Sequence, residues 1–221
     1  MDFERARHEM VQTQLKKRGI KDRRILEALS EIPREEFIDS SFSGLAYDDG
    51  PISIGYNQTI SQPYIVAKMT ELLEINSTDR VLEIGSGCGY QTALLARLAG
   101  HVYSIEIIQE LAEKTQERLT RMGIKNFSMR QGDGNLGWIE EAPFDKILVA
   151  AASANHAPPA LVEQIAEGGK MIIPLGERAG KGILGTGEQY LHIFSRIGRE
   201  IISSRVFEVR FVPLISPSKG S

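Results

Sequence analysis

From residue 80 onward the chain alternates short apolar runs with amphipathic stretches of about a dozen residues, a pattern few folds accommodate. RVLEIG (80–85), HVYSIEI (101–107), NFSMRQGD (126–133), FDKILVAA (144–151) and KMIIPLG (170–176) predict strands. QTALLARLAG (91–100), LAEKTQERLTRMG (111–123) and PPALVEQIAEGG (158–169) carry the three- and four-residue spacing of helices. Strands joined by helices predict a doubly wound α/β fold, Rossmann-like, with a mostly parallel sheet covered on both faces. The stretch YLHIFSRIGREIISSRVFEVRFVPLI (190–215) lacks a helical pattern and predicts antiparallel strands along one edge, in an order left open. Glu177–Glu188, rich in glycine, reads as a mobile hairpin connection.

The first 47 residues differ in character. Met10, Val11, Gln14 and Leu15, then Ile25, Leu26, Leu29 and Ile32, recur at helical spacing among many charges. Gly19 fits a helix end and Asp22 the start of the next helix, before the turn PREEF. In residues 48–63, DDGPISIGYNQTISQP, Gly50, Pro51, Gly55 and Pro63 interrupt any regular element, which marks a functional loop. Val66, Met69, Thr70, Leu72 and Leu73 restore helical spacing. One domain, 1–221, is expected: a helical extension (1–47), an active-site loop (48–63), and an α/β core with C-terminal strands (80–221).

Composition removes several function classes. The 26 basic and 29 acidic residues leave a net charge of −3, against a basic surface for nucleic acid, so no nucleic-acid partner is expected. One cysteine, Cys88, excludes a disulfide framework and a cysteine-rich zinc module. His8, His101, His156 and His192 are scattered, so no metal is expected. MDFERARHEM lacks the apolar core of a signal peptide, and no run approaches the roughly 18 apolar residues of a membrane span. The expectation is a soluble cytoplasmic protein with no membrane partner.

The sharpest local signal is Val81-Leu82-Glu83-Ile84-Gly85-Ser86-Gly87-Cys88-Gly89-Tyr90, an apolar strand entering three evenly spaced glycines before a helix. Such glycines permit a tight turn and leave bare amides for a ligand. The spacing differs from the G-x-G-x-x-G of dinucleotide sites, and no lysine follows to grip a phosphate. Glu106 ends the second strand, where a carboxylate can accept from both ribose hydroxyls, and Asp133 follows the third. Together they resemble the first motif of the S-adenosylmethionine-dependent methyltransferases.

Gln58-Thr59-Ile60-Ser61-Gln62-Pro63 sharpens the resemblance. With IKDRRILEALSEIPREEFID, GDGNLGWIEEAPFDKILV, EGGKMIIPLG and VRFVPLI, it resembles the protein-L-isoaspartate(D-aspartate) O-methyltransferase family nearly end to end. The resemblance implies transfer of a methyl group from S-adenosyl-L-methionine, leaving S-adenosyl-L-homocysteine, to the free carboxylate of L-isoaspartyl and D-aspartyl residues in damaged proteins. The ester then closes to a succinimide whose hydrolysis restores some normal aspartate. It further implies Ser61 as the catalytic residue, with Ile54, Gly55 and Thr59 against the cofactor. Glu83, Gly85, Ser86, Gly87 and Gly89 would hold the methionine moiety, Glu106 the ribose, and Asp133 with Gly134 the adenine side. A monomer acting on isoaspartyl peptides and proteins is expected. A methyltransferase for a small molecule or RNA is the alternative, disfavoured by the intact loop.

The remaining conspicuous residues read as packing. Cys88 meets a requirement for a small side chain, Trp138 packs beneath the adenine loop, and His156 is not catalytic. The loop 150–159 is about one residue longer than the family's usual form, with no role assigned to the difference.

Overall fold

A computed structural model describes residues 2–176 and 187–216. Most of the expected glycine-rich connection, residues 177–186, lies outside the described residues.

The N-terminal periodicity becomes helix where caps allow it. The Asp2 carboxylate accepts from the Arg5 amide at 3.0 Å and opens α1 (Phe3–Met10), which continues as a π-helical turn, Val11–Lys16. Gly19, at φ +87°, follows that turn, and Asp22 caps α2 (Arg23–Glu31) through the Arg24 amide at 2.9 Å. Short 3₁₀ turns, Arg34–Phe37 and Ser40–Leu45, lead to the loop.

That loop is more regular than its glycines and prolines suggest. Strands β1 (Ile52–Gly55) and β2 (Gln58–Ile60) form an antiparallel hairpin. Tyr56 and Asn57 turn it with φ of 53° and 57°, the left-handed pair that a two-residue hairpin turn requires. Pro63 occupies the first turn of α3 (Pro63–Leu73), where its missing N–H leaves no bond unmade.

The alternating region then builds the sheet: β3 (Arg80–Ile84), α4 (Tyr90–Leu98), β4 (His101–Glu106), α5 (Gln109–Arg121), β5 (Phe127–Gln131), β6 (Phe144–Val149), β7 (Ser153–Ala154), α6 (Pro159–Glu163), β8 (Ile165–Gly176), β9 (Gln189–Ile197) and β10 (Glu200–Val209). The spatial order is β10-β9-β8-β6-β3-β4-β5, with β7 beside β8. Strands β5, β4, β3, β6 and β8 run parallel, whereas β9 and β10 form an antiparallel hairpin along the edge.

One helix is shorter than expected. The spacing over 158–169 predicts a helix, but α6 ends at Glu163 and β8 begins at Ile165. Phe144 pairs with Ile165 and Lys146 with Lys170, so residues 166–169 form a bulge. At Gly169 a Cβ would stand 2.8 Å from the Ala166 carbonyl and 2.9 Å from that of Asp145. Glycine is therefore needed there to let the strands approach.

Side-chain alternation divides the core between the sheet faces. Val81, Leu148 and Ile172 point toward the N-terminal helices, α3 and α4. Their neighbours Leu82, Ile84, Ile147, Val149, Met171 and Ile173 pack on the other face with Leu161 of α6. The chain winds from β3 out to β5, then returns to β6 on the other side of β3. That reversal leaves a crevice at the carboxyl ends of β3 and β6, where open α/β sheets bind ligands.

Candidate active site

The glycine loop leaves β3 and turns beneath the crevice. Gly85, Gly87 and Gly89 have φ of +86°, +53° and +91°, a run of left-handed positions costly for residues with a Cβ. The Gly85 amide donates to the Ile105 carbonyl at 2.8 Å, which ties the turn to β4. Glu106 at the end of β4 is 5% exposed and accepts from the Gly87 amide at 2.8 Å and from Ile108 at 3.0 Å. A carboxylate has about four acceptor sites, so it retains acceptors for a ligand in the cavity it lines.

Seven of the expected residues line this cavity: Thr59, Ser61, Gly85, Ser86, Gly87, Glu106 and Gly134. The Ser86 hydroxyl is buried with no partner, an orphan that a ligand would satisfy. Ile54 covers the loop, its Cδ1 lying 3.2 Å from where a Cβ on Gly87 would stand. Bare amides, a partnerless hydroxyl and a terminal carboxylate suit the amino-acid tail and ribose of S-adenosylmethionine.

Four expected residues stand elsewhere. Glu83 shares the strand face of Val81, fully buried, and its Oε2 accepts from the Thr92 and Ser104 hydroxyls at 2.6 Å each. It braces the loop from behind and does not touch the cavity. Burial, with the Glu106 charge adding, pushes its carboxyl up to about 7. Asp133 turns its Oδ1 to the Asn135 amide at 2.9 Å and to the Asn135 side chain at 2.8 Å, capping the turn Gly134–Leu136. Gly89 caps α4 beneath the loop, and Gly55 is exposed in the hairpin.

A second, larger groove opens beside the first. Arg18, Gln62, Tyr64 and residues 207–212 form its walls, and Thr59, Ser61, Ala150, Phe211 and Val212 belong to both spaces. Ser61 thus stands where a donor in one and an acceptor in the other can meet. At the rim, the Arg18 guanidinium lies 3.7 Å from the Tyr64 ring centre and 3.1 Å from Asp49, whose Oδ1 also accepts from Gln62 at 2.8 Å.

Residues 211–215 escaped the reading of individual side chains, although VRFVPLI marks the segment. Ala152 holds it through two backbone bonds, its amide to the Val212 carbonyl and its carbonyl from the Leu214 amide, each 2.8 Å. Cys88, Trp138 and His156 occupy the following positions. Burial raises the Cys88 thiol, the opposite of activation. The Trp138 ring packs edge-on to Tyr103 at 5.7 Å, away from the cavity, and His156 is exposed outside both spaces.

Residues 5–219 match the family model described as protein-L-isoaspartate(D-aspartate) O-methyltransferase. A protein-L-isoaspartate O-methyltransferase of Geobacter metallireducens is 45% identical over 219 residues, covering 97% of this chain and 96% of its own length. That of Vibrio campbellii is 50% identical over 198 residues, covering 90% of each chain. Among solved structures, a Plasmodium falciparum protein titled as a putative protein-L-isoaspartate O-methyltransferase, in complex with S-adenosyl-L-homocysteine, superposes with a TM-score of 0.78. It is 28% identical, over 95% of this chain and 98% of that one. Another titled protein-L-isoaspartate O-methyltransferase gives a TM-score of 0.79 at 29% identity, over 93% of this chain and 65% of that one. The chain therefore belongs to the protein-L-isoaspartate(D-aspartate) O-methyltransferase family, whose cofactor is S-adenosyl-L-methionine.

Proposed function

We propose that the two joined spaces carry out repair methylation: the glycine-floored cavity takes S-adenosyl-L-methionine, and the groove presents the free carboxylate of an L-isoaspartyl or D-aspartyl residue. The carrying observation is the wall that Thr59 and Ser61 share between them. When bound, the cofactor supplies a methyl group on a positively charged sulfur. Gly85, Ser86 and Gly87 hold its methionine portion, Glu106 the ribose and Gly134 the adenine side, with Ile54 above.

The acceptor carboxylate, with an ordinary pKa near 4, arrives ionised, so no side chain must remove its proton. The protein's work is alignment and the exclusion of water. Ser61 donates its hydroxyl hydrogen to that carboxylate and sets its approach. Both walls come from one chain, which supports a monomer as the working unit. The slightly acidic balance supports an enzyme with no nucleic-acid partner, and we place it in the cytoplasm. Incubation with labelled S-adenosylmethionine and an isoaspartyl peptide, beside its aspartyl twin, tests the assignment. Label on the isoaspartyl peptide alone is expected; equal label on both, or on neither, overturns it.

A further inference from the structure

Arg34 is fully buried, yet its polar contacts among the described residues are all with uncharged groups. Its Nε donates to the Ala46 carbonyl at 2.8 Å and its Nη2 to the Ser61 carbonyl at 2.7 Å, while Nη1 has no partner. The guanidinium carbon sits 4.8 Å from the centre of the Tyr90 ring, which lines the cofactor cavity. Burial pulls the group below its ordinary value, but an arginine remains charged. Burying a cation without a counter-charge opposes folding, and an aliphatic side chain would fill the space without that penalty. What the guanidinium alone supplies is a rigid fork of donors aimed at two fixed carbonyls.

The two carbonyls sit at meaningful places. Ala46 stands where the chain departs toward the β1–β2 hairpin, and Ser61 where it returns, so one side chain fastens both ends of that excursion. The same group rests on the first residue of α4, directly after the glycine loop. We propose that Arg34 is a positioning residue for methyl transfer, fixing the Ser61 backbone against the Tyr90 wall and thereby setting where the Ser61 hydroxyl stands between the two cavities. The inference rests on the assignment of Ser61 above.

The test combines Arg34→Lys and Arg34→Gln with Ser61→Ala, singly and in pairs, reading kcat and KM with an isoaspartyl peptide and S-adenosylhomocysteine affinity by calorimetry. Arg34→Lys is expected to lower kcat about 10- to 100-fold, because small displacements of an aligned group have effects of that size. Peptide KM and S-adenosylhomocysteine affinity should stay within about threefold, and with Ser61→Ala present the same change should lower kcat by less than about threefold, since residues acting as a unit are not additive. Unchanged kcat in Arg34→Lys, or losses that multiply in the double variant, would overturn the proposal. So would lost S-adenosylhomocysteine binding in both Arg34 variants, which would make Arg34 a residue of the fold alone. Full turnover in Ser61→Ala alone is a separate outcome; it removes the Ser61 assignment, and this inference with it, whatever the Arg34 variants do.

Discussion

Gly89 and Gly55 have nearly the same backbone, φ +91° and +86°, in very different surroundings. A Cβ on Gly89 would stand 2.6 Å from Thr115 Cγ2, whereas one on Gly55 would meet nothing within 4 Å. The contrast separates the two sides of the site. On the cofactor side, backbone turns are pressed between strands and α5, and the floor is made of amides. On the groove side, the β1–β2 hairpin buries Ile52 and Ile60 but leaves its turn exposed, and side-chain contacts such as Arg34 to Ser61 and Arg18 to Asp49 fasten its flanks. One side is packed throughout, and the other joins a packed base to an open turn with tethered flanks.

Substitution can break that contrast. Gly89→Ala combines left-handed strain with a core clash and should lose about 3 kcal/mol or more in denaturant unfolding, against about 1–2 kcal/mol for Gly55→Ala. Equal losses would erase the distinction.

Glu83 sharpens it next, because its buried carboxyl belongs to the packed side. Its folded-state value of about 7 lies above the ordinary 4.5, so the native state keeps a proton that the unfolded chain has released. Stability therefore falls as pH rises through that window, by roughly 3 kcal/mol for the full shift. Glu83→Gln removes the ionisation while leaving an acceptor for Thr92 and Ser104. Its stability relative to the parent should improve by about 2–3 kcal/mol between roughly pH 5 and pH 8. A difference independent of pH would exclude this carboxyl as the source.

Glu106→Ala deprives the Gly87 amide of its acceptor and the cofactor of a carboxylate. Calorimetry should show S-adenosylhomocysteine binding weakened by about 30-fold, in keeping with about 2 kcal/mol for a charged hydrogen bond. An unaltered dissociation constant contradicts the ribose assignment. The smallest effect belongs to the rim: Asp49→Asn loses an exposed ion pair with Arg18 and should change stability by less than about 1 kcal/mol. Peptide KM should move about twofold, with cofactor affinity constant; a loss comparable to that of Glu106→Ala would mean the rim is built like the floor.

What was legible in the sequence follows the same division. The glycine loop and Glu106 are set by strands entering turns, a local pattern that short windows display. Glu83 was within reach too: strand side chains alternate, so a residue sharing parity with Val81 faces α4 and not the other side of the sheet. Asp133 turns its Oδ1 to Asn135, since a carboxylate before a short turn can serve its own backbone as readily as a ligand, a choice that local pattern does not display. The helix expected over 158–169 lost to strand pairing with β6, a tertiary contact that periodicity does not register. Arg34 resembled a surface charge beside Glu35 and Glu36, and only the fold brings the Ser61 carbonyl to it.

The pairing of Ala152 with residues 212–214 bears on how the protein is made. A chain emerging from a ribosome presents the hairpin first, then the glycine loop and the strand ends, and only after β10 the segment that walls both spaces. Without that segment, the two spaces would lack their common outer wall and merge into an open trough. The wall common to both spaces is thus contributed by the part of the chain made last among the residues that line them.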